Sequence, residues 1–498
     1  MNSVPDLMPF NISFALRAGC LLLFAICVLG LKPGHRAKLS SPPVSSRING
    51  IATPESDNER SATDHKIYPK PPPPALPRAG GKFHDPTFGT EIMRATDERD
   101  DKVGLSTYYS HWPTFNSDNT YILARKASGD ALIKSFDAKT FNIGGGFQPG
   151  AVNVTGKGDV SVNFESAIWH PSNPNLIYCF TGYRDGGMHL YTYNVVTRRY
   201  TMVKDFSSLG GSDDYLWRMT MSADGDVFAW SQFRVGRGDE NPIYLVIWRK
   251  STDQVLYHMP TKGILDKVGL DKSGRYASIG YKTTQADKTY SMYLTLATGH
   301  LENLKWNSSD SPTGHGDMGT GFHAGWDNWA CGINRRWLNN AHSPQTVFRF
   351  TDERGVLDWT MDLHATLMAD NEDWLTVGTY REPSSTLPSV GVFRDEIFQV
   401  ALDGSGRVRR ICHTRSSIDN KTDTTGYWAM PKPTISKDGR FIAFTSNWGK
   451  SGRYDVFIAR IDPAPRLFAK QPGTGQVVPP ANARRERRVT QPAARKPK

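Results

Sequence analysis

The chain has 498 residues, with 13 Trp, 19 Tyr, 45 Gly, few long apolar runs and a formal charge of +11. That length supports a large core. The aromatic and glycine content, with no 3.6-residue periodicity, favours strands and tight turns and excludes helical bundles and helical solenoids. Much of the positive surplus lies in the Lys- and Arg-rich stretch after residue 465, and no basic patch interleaved with aromatics precedes it, so nucleic acid is not expected as a partner.

Residues 18–31, AGCLLLFAICVLGL, follow Arg17 and precede the basic residues His35, Arg36 and Lys38. The run is shorter than the roughly 20 residues of a full membrane span and fits the apolar region of a secretory signal. Membrane anchoring through residues 14–31 is the alternative, at the cost of burying Arg17. Residues 1–38 are therefore read as a signal peptide or signal anchor, and the protein as secreted or periplasmic. Residues 39–80 are rich in Ser, Pro and charge and end in PKPPPPALP (69–77), which reads as a disordered linker with a polyproline spacer. Cys20 and Cys27 lie in the apolar run, and Cys179, Cys331 and Cys412 are scattered without any CxxC. Buried free thiols are expected, with one disulfide as the alternative.

From residue 81 a unit recurs: a strand pattern, a polar hinge, a second strand, a gap, then a third and often a fourth. The units fall at 111–143, 163–206, 215–259, 266–306, 315–361, 364–413 and 427–462. The hinge reads S-x-D-G-x-hydrophobic at its clearest, as in SADGDV (222–227) and SKDGRF (436–441), and its aspartates, Asp224, Asp271, Asp403 and Asp438, read as turn formers. A period of about 40–50 residues with four strands per unit predicts an all-β fold, a seven-bladed β-propeller spanning 81–463, rather than one of six or eight blades. The last unit shows only three strands before a basic tail, 464–498, expected to be disordered. TEIMRAT (90–96) is the candidate for the missing outer strand, since closure by a chain end removes an exposed edge.

Innermost strands line a propeller's bore, so what they carry defines the candidate site. They carry Tyr109 and His111, Glu165, Arg218, His315 and Asp317, His364, then Tyr427, Trp428 and Lys432. Histidine near the start of three of them is unusual for packing, because each buried ring nitrogen needs a partner. The cations and aromatics suit an acidic oligosaccharide or another anionic ligand. By contrast, His170 and His300 read as turn residues, His258 as an outer-strand residue, and His323 as either part of the rim or a bystander. A monomer is expected.

The last three units resemble the oligogalacturonate lyase family of seven-bladed propellers. The resemblance rests on Gly314-His315, on His364 followed by LMADNEDWLTVG (367–378), on ICHTRSS (411–417) and on MPKPTISKDGRFIAFTSNWG (430–449). It implies that His315 is the base of a β-elimination and that His364 occupies the place of the family's first metal-ligand histidine. The family's metal stretch reads Q-x-x-H-P-H-P, whereas this chain has Tyr427-Trp428-Ala429-Met430-Pro431-Lys432-Pro433. Both prolines are retained and both histidines are not, so no metal or other cofactor is expected. In that reading His315, Lys432 and Arg218 are the catalytic set, and His111, Tyr109, His364, Asp317, Tyr427 and Trp428 bind substrate. The hinge is also similar to that of the TolB propeller, which bears on fold and not on chemistry. The alternative to a lyase is a non-catalytic propeller that binds a glycan, peptide or cell-envelope partner at the channel mouth.

Overall fold

The computed structural model describes residues 62–468, apart from 183–187, 238–240, 262–264, 282–287, 308–309, 311–313, 384, 388 and 419–423. The expected leader or anchor, the first part of the linker, Cys20, Cys27 and the chain beyond 468 lie outside the described residues.

Seven antiparallel sheets stand in sequence as a seven-bladed propeller. Their innermost strands are Leu105–Ser106, Val162–Trp169, Asp214–Met221, Leu265–Leu270, Gly316–Met318, Met361–Thr366 and Thr434–Ile435, in blades 1 to 7. A short hairpin, Val152–Val154 with Gly158–Val160, separates blades 1 and 2. Large apolar side chains fill the space between neighbouring sheets. Phe136 of blade 1 meets Phe441 of blade 7 edge-on with ring centroids 5.0 Å apart, and Phe206 and Trp230 pack the same way at 4.8 Å. Cys179, Cys331 and Cys412 are buried free thiols.

The hinges are built as their residues require. Ser436 donates its hydroxyl to Asp438 and accepts the Phe441 N–H at 3.0 Å, while Gly439 supplies φ +75°. The same pattern recurs at Ser222, Asp224 and Val227. These short side-chain bonds satisfy turn amides that no neighbouring strand can reach.

Ring closure follows the expected route. The strand Glu91–Arg94 pairs with Asp455–Arg460 in the register Ile92↔Ala459, and a further strand, Lys82–His84, makes blade 7 five-stranded. The buried Arg94 guanidinium donates to Asp455 at 2.7 Å across the seam.

Four expectations need correction. Tyr109 and His111 do not lie on a strand: after Leu105–Ser106 the chain turns, the Trp112 N–H returning to the Tyr109 carbonyl, and Pro113 withholds a ladder donor. Tyr427 and Trp428 lie on a short helix, Thr424–Ala429, rather than on the inner strand, which Pro431 and Pro433 shorten to Thr434–Ile435. The linker is ordered from residue 62, running as a strap along the outer edges of blades 5, 6 and 7. Its carbonyls at Pro71 and Pro74 accept from Arg415 at 2.7 Å and from the Trp448 indole at 2.7 Å, and Lys70 pairs with Asp395 at 2.8 Å. A polyproline chain exposes its carbonyls with no internal use for them, which is why buried donors can hold it. The tail boundary also moves: Phe468 is buried, and the Trp374 indole and Asp373 carboxylate bind the backbone of Pro465 and Leu467.

Beneath the strap, Asp85 accepts from the Arg415 guanidinium at 2.9 Å and from the His413 amide at 3.0 Å, tying the added edge of blade 7 to blade 6. Neither side chain of the Arg415–Asp85 pair is exposed. Arg415→Ala is expected to destabilise the fold by about 3–5 kcal/mol in urea unfolding, because it strands a buried carboxylate. Arg407→Ala, which removes an exposed i,i+4 pair with Asp403, is expected to cost under about 1 kcal/mol.

Candidate functional site

The inner strands run in one sense, so their leading ends share one mouth of the bore. At that mouth His315 immediately precedes Gly316–Met318. The Gly314 N–H donates to the Trp326 carbonyl at 2.7 Å, and the His315 carbonyl accepts from the Trp326 N–H at 3.0 Å. Gly316 faces Gly325, where a Cβ on Gly325 would stand 2.5 Å from the opposite Cα, so only glycine allows the two backbones this close. His315 is thereby held on a rigid backbone.

His315 Nδ1 is 3.1 Å from Asp362 Oδ1 on the inner strand of blade 6. Asp362 is fixed in turn: its Oδ1 accepts the Leu363 N–H at 2.8 Å and its Oδ2 the Tyr380 hydroxyl at 3.1 Å. Burial alone would raise the Asp362 pKa, but the charge and hydrogen bond of His315 outweigh it, helped by His364 and the Leu363 amide, and hold it at about 2. A carboxylate on Nδ1 selects the tautomer with the proton there, leaving Nε2 as the basic nitrogen. His364 stacks between His315, at 4.9 Å and 19°, and Tyr380, at 5.6 Å and 25°, with Tyr109 edge-on at 4.9 Å. Its Nδ1 is buried without a hydrogen-bond partner among the described residues. Burial, reinforced by the positive charge of His315 and Lys432, keeps it neutral, well below the ordinary histidine range.

His111 is half-buried between Tyr109 and Trp112, each 4.7 Å away by ring centroid. Burial and then the charges of Lys267, Arg218 and His315 lower its pKa to about 3, so it is a neutral imidazole at neutral pH. The Trp112 indole donates to the Met219 carbonyl of blade 3 at 2.9 Å, so this turn reaches across blade 2 and fills part of the bore.

Two bulges aim charged groups toward this cluster. Arg218 has φ +59° where the register of blade 3 slips, and its guanidinium donates to the Leu265 carbonyl at 3.0 Å. Ser166, at φ +75°, sits beside Glu165 in the corresponding slip of blade 2. Left-handed backbone at a residue other than glycine is costly, and bulges of this kind commonly redirect side chains at sites. Lys267, which sequence reasoning did not single out, lies one blade on, with Nζ 3.4 and 3.3 Å from the carbonyls of Gly314 and Gly316 on either side of His315. Asp362 and Tyr380 were also missed. Their signal was positional, since Asp362 stands two residues before His364 and so on the same face of its strand.

Several expected site residues fall elsewhere. Asp317 accepts the amides of Met318 at 2.8 Å and Leu367 at 2.7 Å, which makes it a pin between blades 5 and 6. Lys432 is fully buried: its ammonium donates to the Tyr427 carbonyl at 2.9 Å and lies 4.2 and 5.0 Å from the ring centroids of Tyr427 and Trp428. Arg125 covers the Trp428 ring at 3.9 Å. Tyr427 and Trp428 thus cap Lys432, with Tyr427 exposed. His323 is buried against the Tyr293 hydroxyl at 2.7 Å, His170 accepts turn amides, and His258 and His300 lie on outer strands.

No family model and no curated protein sequence matches the chain. Among solved structures it is similar to an oligogalacturonate lyase in complex with manganese, at 10% identity and TM-score 0.56, over 78% of this chain and 98% of that one. It is also similar to an oligogalacturonate lyase from Vibrio parahaemolyticus, at 9% identity and TM-score 0.54, over 79% and 99%. These likenesses show the fold.

The residues present do not fit a manganese ion. Among the described residues no group of three or more His, Cys, Asp or Glu side chains is placed to hold a metal. His364 is flanked by stacked rings, and Asp362 is occupied by His315, Tyr380 and a backbone amide. A buried ammonium at residue 432 would repel a divalent cation.

Burial, with Arg125 adding to it and Glu165 opposing it, lowers the Lys432 pKa to about 7. The folded state therefore binds fewer protons than the unfolded state between about pH 7 and pH 10.4, so this residue's contribution to stability rises with pH across that window. Lys432→Met is expected to raise Tm at pH 6–7 relative to the parent and to remove that rise, as read by thermal unfolding from pH 6 to 10.

Proposed function

We propose that this propeller binds an acidic oligosaccharide at the His315 mouth and cleaves it by β-elimination. The observation that carries the reading is the His315–Asp362 contact, a base with its tautomer set by a carboxylate and its backbone clamped by two hydrogen bonds. In the proposed step His315 takes the proton next to the uronate carboxylate. The C–H electrons form the new C=C bond, the C–O bond to the departing sugar breaks, and the proton returns to the leaving oxygen directly or through solvent. Negative charge gathers on the carboxylate as the proton leaves, and cations aimed there lower the barrier. Arg218 and Lys267 are the candidates for direct contact with that carboxylate. Lys432, being fully buried, acts through its field and by supporting Tyr427 and Trp428. His111 and Tyr109 orient the sugar.

A second reading, glycan binding without turnover, is favoured by one observation: the ammonium that replaces the family's metal histidine is sealed beneath two aromatic rings. The test is release of unsaturated, ultraviolet-absorbing product from pectic, alginate, ulvan and glycosaminoglycan oligosaccharides. His315→Ala is expected to lower kcat by at least about a thousandfold, and Asp362→Asn by about tenfold to a hundredfold with a shifted pH–rate profile. A parent protein that binds but never cleaves any of these substrates selects the second reading.

A further inference from the structure

Two tryptophans outside the cluster just described are exposed on the same mouth. Trp329 is 45% exposed and Trp359 48%, unusual for the largest side chain in a chain that buries most of its others. Trp329 occupies the turn between the second and third strands of blade 5, three residues after Trp326, whose backbone bonds to both sides of His315. At the reach of an extended chain, three residues place its backbone within roughly 10 Å of Trp326, which pairs directly with the strand start that bears the proposed base.

The turn is rigid. Asp327 accepts the Trp329 N–H at 2.7 Å and the Ala330 N–H at 3.1 Å, and its other oxygen accepts from Asn334 at 2.9 Å. The turn carrying Trp359 is pinned in the same manner: Asp358 accepts from Thr360, Ser389 and the Gly391 amide. Cys331 Sγ, 3.3 Å from the Asp358 carbonyl, joins the two turns. Behind Trp329, Trp306 lies at 6.2 Å and Tyr290 at 4.7 Å from Trp306, a tilted aromatic row extending the mouth outward between blades 4 and 5.

We infer that Trp329, backed by Trp306 and Tyr290, is a stacking subsite for a sugar residue of the same oligosaccharide chain, outside the cationic mouth. The inference rests on the reading of an acidic oligosaccharide as ligand. An indole face held rigid and exposed loses little freedom when it stacks, and sugar rings present apolar C–H faces that suit it. The cations at His315 read the carboxylates; the aromatic row, uncharged, reads length.

The experiment is titration of full-chain His315→Ala, which prevents turnover, with galacturonate and alginate oligosaccharides from disaccharide to hexasaccharide, followed by tryptophan fluorescence and calorimetry. Affinity is expected to rise with length. Adding Trp329→Ala is expected to remove about tenfold of that gain while leaving the disaccharide unchanged, and Trp329→Phe to restore part of it. Near-ultraviolet circular dichroism and Tm report that the variant, altered at an exposed side chain, remains folded. A length gain retained in Trp329→Ala overturns this subsite and leaves the mouth reading standing. Length-dependent, Trp329-dependent binding in a parent protein that never cleaves supports the subsite and ends the elimination reading. An absence of binding at every length overturns both.

Discussion

A ring of sheets has no stability to spare at its join, and the antiparallel pairing of Glu91–Arg94 with Asp455–Arg460 is where this ring joins. Without it the last blade would present an open edge, and the first and last sheets would keep only side-chain packing and isolated bonds such as that of the Leu105 N–H to the Tyr454 carbonyl. The seam is reinforced by polar groups with no solvent alternative. Arg94 crosses it to reach Asp455, Thr96 adds a hydroxyl bond to the same carboxylate, and Asp85 ties the added strands to blade 6 through Arg415. The mouth depends on this join, because its residues come from all seven blades.

At the mouth, one sign of charge predominates without a cluster of ligands. Arg218, Lys267 and Lys432 surround the neutral imidazoles of His111 and His364, and the carboxylate closest to His315 is committed to holding that ring. Burial, with the charges of His315 and Lys432 adding to it, keeps the stacked His364 ring uncharged. On the proposed reading the arrangement receives an anion and draws a proton from it, and its donors do not form the set a hard cation needs.

Much of the fold was legible because its signals are local. Asp-Gly hinges fix their own turns through side-chain bonds such as Ser436 to Asp438, and strands alternate between two sheet faces, so blade count and the closing strand could be read off the chain. The site was legible only in part. His315, His364, Arg218 and His111 were found as residue types unusual on inner strands, and the structure brings them together. Asp362 and Tyr380 were missed because the spacing puts Asp362 on the face of His364 but does not reveal its partner His315 from the neighbouring blade, and Tyr380 matters only as the residue opposite Asp362 in the ladder. Lys432 was misjudged for the same reason: it lies between two prolines just before the shortened inner strand Thr434–Ile435, and the helix Thr424–Ala429 folds Tyr427 and Trp428 over it. The ordered strap at residues 62–80 escaped notice because a proline-rich composition describes the isolated segment and not the arginines and tryptophan waiting for its carbonyls.

The join also sets an order of events during synthesis. Arg94 and Asp455 are 361 positions apart. At translation rates of about 5–20 residues per second, the Glu91–Arg94 strand emerges roughly 20–70 s before its partner. Throughout that interval the half-made molecule carries a strand, with Ile92 and Met93 destined for full burial, whose second edge has no partner beyond the hairpin it makes with Lys82–His84. Anything that shields this strand on the nascent chain therefore governs how much of the protein reaches its finished ring.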